Sequence, residues 1–248
     1  MSFNGRPIPE EAKRVAILAI FVAIGILADQ IPFSSLVGGM GQTLTFFDIF
    51  SPMAVLTLGL WDGGIAILIA KLLSVVVAGK ALDAMVLLRL LPPLAAGAFF
   101  WVYGQKERSG WPARLIGIGI PALMMLAFML HPAIFGTIAM LYSLWWLIPI
   151  AAALRPNHPV LRAYGTTFTQ HAVGSVIFLY TIPALQNPAV WLALIPVVAF
   201  ERGILGGGIF LMAAGVEALL ARLTLLRKSM ATHQDADGAP MPQKKRKK

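Results

Sequence analysis

Cysteine is missing from all 248 residues. Disulfides, thiolate metal sites and cysteine nucleophiles are thereby excluded. Charge is scarce too: Asp, Glu, Lys and Arg make up 12% of the chain against 58% hydrophobic residues. With a mean hydropathy of +0.78 the chain is too apolar for a soluble globular domain. No H-E-x-x-H, G-x-S-x-G or P-loop occurs, so nothing points to proteolysis, esterase chemistry or ATP hydrolysis by this chain. The histidines, at 131, 158, 171 and 233, lack metal-ligand spacing. Neither a metal nor a cofactor is expected. The first apolar stretch has no A-x-A-like cleavage site and reads as a retained span.

The charges that are present fall in an ordered way. Along the apolar tract, Lys and Arg collect on alternate connectors: Lys13/Arg14, Lys106/Arg108/Arg114, Arg155/Arg162 and Arg227/Lys228. The other connectors hold only Lys80. Cytoplasmic loops accumulate Lys and Arg, so the pattern predicts a polytopic membrane protein with both termini inside, at the plasma membrane. The net charge of +9 is swollen by the terminal Lys244, Lys245, Arg246, Lys247 and Lys248. Attraction of that tail to anionic lipid is expected, and no binding of nucleic acid.

A helical span needs about 20 apolar residues. The sequence divides into about eight: 13–31, 48–60, 65–78, 84–103, 115–130, 133–154, 164–182 and 203–226. Trp61-Asp62-Gly63-Gly64 is read as a tight turn between the second and third, with Asp62 capping the third. The last apolar tract, 189–226, is too long for one crossing. Glu201-Arg202-Gly203 and Gly206-Gly207-Gly208 are read as its break, with 189–200 dipping into the membrane. Fold class is therefore an all-α polytopic bundle over 1–228, followed by a disordered basic tail over 229–248.

Charged groups inside spans are costly and face a bundle interior or a water-filled cavity. Asp48, Lys71, Arg89, Glu201 and Arg202 are such groups, and all fall at mid-membrane or nearer the outside. An externally open polar cavity would accommodate them. The competing reading is internal ion pairing, Lys71 with Asp48 or Arg89 with Glu201, and no ligand. Thr167, Gln170, His171 and Gly174 share a helix face assigned to packing, because it lies in the inner half. His131 is assigned to the interface. Ala12, Ala16, Ala19 and Ala23 form a small-residue stripe along which another helix could approach, from this chain or a partner.

Taken together, several segments resemble a known family. A basic start leads into the Ala-striped helix and a Gly-containing outer loop. Thr45-Phe46-Phe47-Asp48-Ile49-Phe50-Ser51-Pro52 then enters a short helix, and Gly59-Leu60-Trp61-Asp62-Gly63-Gly64 turns it into the next. This resembles the substrate-binding S component of energy-coupling factor (ECF) transporters, chiefly over 13–103 and more loosely over 164–226. The resemblance implies a six-helix core, with 115–154 as an inserted hairpin. It also implies uptake of a vitamin-like micronutrient, an outward-open pocket, and dependence on a transmembrane T component and ATPase subunits. Ala16, Ala19 and Ala23 would contact the T component. Lys71, Arg89 and Arg202 would attract a small polar or anionic substrate, Asp48 and Glu201 would orient it, and Trp191 and Tyr180 would offer stacking surface. No catalytic role is expected. The alternatives are a stand-alone ion-coupled transporter using Lys71, a lipid-acting enzyme using His171 and Glu201, and a non-catalytic assembly protein.

Overall fold

The computed structural model describes residues 9–35, 43–104, 110–156 and 158–237, with the pairs 2–3 and 6–7; side chains are described within 9–34, 43–104, 110–156 and 158–226. Residues 36–42, Lys106, Arg108 and the terminal 238–248 lie outside the described residues. Two short antiparallel pairs, β1 (Ser2–Phe3) with β2 (Arg6–Pro7) and β3 (Pro32–Ser35) with β4 (Thr43–Thr45), accompany an otherwise helical chain. The helices are α1 (Glu10–Asp29), α2 (Phe47–Val77), α3 (Ala84–Leu88), α4 (Leu91–Tyr103), α5 (Trp111–Arg114), α6 (Ile120–Met129), α7 (Leu147–Leu154), α8 (Pro159–Thr181) and α9 (Pro188–Asp237). A π-helical turn (Leu115–Gly119) joins α5 to α6, and a 3₁₀ segment (Ile138–Trp146) leads into α7.

Four helical stretches are long and apolar enough to cross a membrane: Phe47–Val77, Ala84–Tyr103, Trp111–Met129 and Pro188–Leu226. Three further expected spans fall short: 133–154 on length, since its helix covers only Ile138–Leu154, and two on polarity. Glu10, Glu11, Lys13 and Arg14 open α1, and α8 carries Thr166, Thr167, Thr169, Gln170 and His171. Yet α8 is buried almost all round from Gly165 to Ser175, packed against α4, α6 and α7. Its polar groups are thus enclosed by protein. Large apolar side chains such as Leu27, Val77, Leu123 and Leu211 are more than half exposed, as a lipid-facing surface requires.

The stretch Phe47–Val77 is a hairpin. Gly59 takes φ 82°, ψ 176°, a left-handed conformation that costs other residues far more. Beyond it the chain folds back, so that a Cβ built on Gly63 would stand 2.5 Å from the Cα of Val55. The bend therefore sits just before Trp61, with Asp62 inside the second arm. Asp62 pairs there with Arg14 of α1 instead of capping a helix start.

The chain divides into two compact units, Met1–Met212 and Ala213–Lys248. The first contains the bundle. Its larger core cluster joins Phe128, Tyr142, Trp146, Phe168, Leu179 and Trp191, and edge-to-face rings recur through it. A smaller cluster joins Phe99, Val102, Tyr103, Ala113 and Ala152. The described part of the second unit is helical up to Asp237, eight residues past the expected start of a disordered tail. Its Ala, Leu, Arg and Lys are strong helix formers.

One expectation is corrected outright. Helix α9 runs through Glu201-Arg202-Gly203 and Gly206-Gly207-Gly208 without a break, so 189–200 is its first part and no separate dipping segment. Two of the four glycines serve close approach instead: a Cβ on Gly206 would stand 2.8 Å from the Tyr164 ring, and one on Gly208 2.8 Å from Ile49. Small residues at such crossings let helices pack tightly in lipid, which offsets a propensity loss of about 1 kcal/mol each.

Candidate functional site

The hairpin, α8 and the first part of α9 converge on a cavity of about 140 Å³ within the first unit. Asp48, in the first turn of α2, accepts the backbone N–H of Thr45 at 3.0 Å and the Nε2–H of Gln170 at 2.5 Å. A carboxylate there also faces the positive end of the helix dipole. Glu201, on α9, accepts the hydroxyl of Ser34 from β3. Both carboxylates are therefore already engaged by neutral donors.

The cations are engaged less completely. Arg202 is 4% exposed and donates from one Nη to Thr167 Oγ1 at 3.2 Å. Among the described residues no carboxylate lies within 4.0 Å of it, and its Nε–H has no partner. Arg89 stands 5.8 Å over the Phe178 ring and its Nε–H is likewise unpartnered. Gln170 Oε1 is a third buried atom without a partner. Two charged donors and one acceptor thus belong to residues lining one cavity. Leaving them unmet costs free energy. An anionic, acceptor-rich ligand in the cavity would offset the charge of the two arginines.

Aromatic groups complete the wall. Trp191 is 2% exposed, its indole N–H held by Leu185 O at 2.6 Å, and its ring lies 4.8 Å from that of Tyr142. Trp146 Nε1–H donates to His171 Nδ1 at 3.1 Å. An indole nitrogen can only donate, so Nδ1 carries the lone pair and the proton of the neutral imidazole is on Nε2. That Nε2–H donates to the Tyr142 oxygen, 2.8 Å away. The Tyr142 hydroxyl keeps its own proton to donate to a ligand. Tyr142→Phe is expected to strand the His171 donor and cost about 1–3 kcal/mol. A lower unfolding midpoint in detergent would report this, and an unchanged midpoint would contradict the hydrogen-bonded chain.

Of the residues singled out in the sequence, Asp48, Lys71, Arg89, Trp191, Glu201 and Arg202 all line this cavity. Tyr180 does not. It is half exposed, donates to Ala127 O at 3.0 Å and stacks edge-on against His131, 4.6 Å away. Neither expected ion pair forms: Lys71 Nζ binds Asp29 Oδ1 at 2.5 Å, and Arg89 has no carboxylate within 4.0 Å among the described residues. The stripe of Gln170, His171 and Gly174, expected to pack helices, lines the cavity beside Asp48. Its helical spacing was the available signal. Tyr142, Ser175 and Phe178 carried no such signal, being ordinary residues of apolar helices. No protein family, characterised protein or solved structure matches the chain.

Proposed function

We propose that the chain is a membrane-embedded solute-binding subunit of the ECF S-component type, taking up a small polar or anionic micronutrient. The observation that carries this reading is Arg202: a buried cation with no carboxylate within 4.0 Å among the described residues, its charge only partly offset by the nearby Asp48 and Glu201, lining a cavity with Arg89 and three aromatic rings. A purely structural arginine would be expected to have its charge paired. The volume is about that which admits one benzene-sized ring, so the ligand is of single-ring size. Trp191, Tyr142 and Phe178 suit its apolar body, and the two guanidinium groups its anionic group.

In this reading the chain crosses the plasma membrane about eight times with both termini in the cytoplasm, and a six-helix core carries 115–154 as an inserted hairpin. Energy comes from a T component and ATPase subunits, and the basic tail rests on anionic lipid. Ala16, Ala19 and Ala23 of α1 are exposed, which leaves this stripe open to a partner helix. Replacing Ala19 and Ala23 together with Leu is expected to abolish uptake by cells while leaving solute binding by the purified chain unchanged. Normal uptake by that variant would count against the partner surface.

The deciding experiment is affinity purification from native membranes, with mass spectrometry of retained proteins and small molecules. Co-purifying ATPase subunits and a single-ring anionic compound are the expected result. A second reading, a stand-alone ion-coupled transporter, draws support from the Lys71–Asp29 pair, a couple able to exchange protons or ions within the bundle. It requires uptake by liposomes containing this chain alone.

A further inference from the structure

Next to the first cavity is another of about 110 Å³, with room for a few waters or one tetrahedral oxyanion. Its lining includes Asp29, Lys71, Ser74, Lys80 and Arg89. The one carboxylate is already taken: Asp29 Oδ1 accepts from Lys71 Nζ at 2.5 Å and from Thr45 Oγ1 at 2.8 Å. Lys80 and Arg89 form no ion pair within 4.0 Å among the described residues, which leaves an excess of positive charge. Asp83, the nearest acid in sequence, directs its Oδ1 to the N–H of Val86 as the cap of α3, and its charge offsets that of Arg89 in part, leaving Lys80 as the excess cation.

Ser74 supplies the independent observation. It is 1% exposed, and its hydroxyl has no hydrogen-bond partner. A helical Ser or Thr ordinarily turns its hydroxyl back to a carbonyl four residues earlier. Thr57, Thr166 and Thr169 do so here, at 2.9, 2.8 and 2.7 Å. Ser74 forgoes that bond, as does the buried Ser51 of the same helix, and of the two it is Ser74 that lines the cavity with Lys80 and Arg89.

We propose that this second cavity binds one oxyanion of the phosphate class, held by Arg89 and Lys80 with a hydrogen bond from Ser74. The site stands apart from the proposed uptake function, since Ser74 and Lys80 line only the second cavity. Arg89 belongs to both linings, so an oxyanion here would fix one wall of the first cavity.

Calorimetric titration of the full-length protein, purified in phosphate-free detergent, with inorganic phosphate tests the idea. Saturable one-to-one binding is expected, weakened about tenfold by Ser74→Ala and about tenfold by Lys80→Gln. Ser74→Ala deletes a buried hydroxyl that bonds to nothing, so its unfolding midpoint without phosphate should equal or exceed that of the parent. No binding up to millimolar phosphate, or equal affinity in all three proteins, would overturn the proposal. Nanodiscs then separate the two sources of phosphate. Binding that persists in phosphatidylcholine discs assigns a free anion, and Ser74-dependent competition by phosphatidic acid discs assigns a lipid headgroup. Either supports the site.

Discussion

Arg202→Gln is expected to strip the purified protein of its retained solute, with an affinity loss of about hundredfold or more. A hydrogen bond to a charged group contributes about 1.5–3 kcal/mol, and the guanidinium can offer two to one anion. A loss of about 3 kcal/mol is about hundredfold in affinity. Quantitative mass spectrometry of the small molecules retained by equal amounts of parent and variant is the measurement. Arg202→Lys should fall between them, because it keeps the charge but loses the planar fork. The variant's fold needs its own check by gel filtration, since Asp48 and Glu201 lose a nearby buried cation. Equal retention by parent and Gln variant would remove the basis for the solute-binding reading.

Gly63→Val is expected to have the largest effect on folding. Even its Cβ would meet the Val55 Cα at 2.5 Å, the Val55 nitrogen at 2.6 Å and the Ala54 carbonyl carbon at 2.7 Å. These are backbone atoms and cannot swing aside as a side chain can. The two arms of α2 would have to separate, and overpacking of this kind costs about 1–3 kcal/mol or more. We expect the variant to be recovered aggregated or at a small fraction of parental yield, read by fluorescence-detected gel filtration. Gly64→Ala is the contrast, since a Cβ there meets nothing nearer than a Leu94 methyl at 4.0 Å. If both variants behaved like the parent, the close-packed hairpin would be wrong.

How much of this was legible in the sequence depends on what each feature rests on. The helical, apolar character follows from composition alone. The hairpin was legible too, because Gly59 to Gly64 concentrate residues that only a turn or a close crossing rewards. The cavity was half legible. Ionisable residues in apolar helices announce themselves by their cost, and Asp48, Lys71, Arg89, Glu201 and Arg202 do converge. Their partners did not follow, because pairing depends on helix rotation that no spacing encodes. Lys71 therefore meets Asp29, a residue near the end of the first helix that nothing in the sequence singled out. The polar face of α8, read as packing, is both packed and part of the cavity lining, because which side a helix turns to a cavity depends on its rotation. Tyr180 lies off that lining: a ring near a helix end is equally suited to an interface and to a pocket. Glycine runs in α9 misled because the same residue ends a helix when the chain must turn and thins it when a neighbour must come close.

The Gly59 bend also acts as a caliper. Asp48 precedes it and Lys71 follows it by about eleven or twelve residues, roughly 17 Å of helix in each arm. Equal leg lengths carry an acid and a base to the same height, where the two legs help enclose one chamber. A single inserted residue in either leg would raise its charge by about 1.5 Å and swing it about 100° round the axis. Homologous chains should therefore vary freely in which side chains clothe the legs, while the count of positions between the bend and each charge stays fixed.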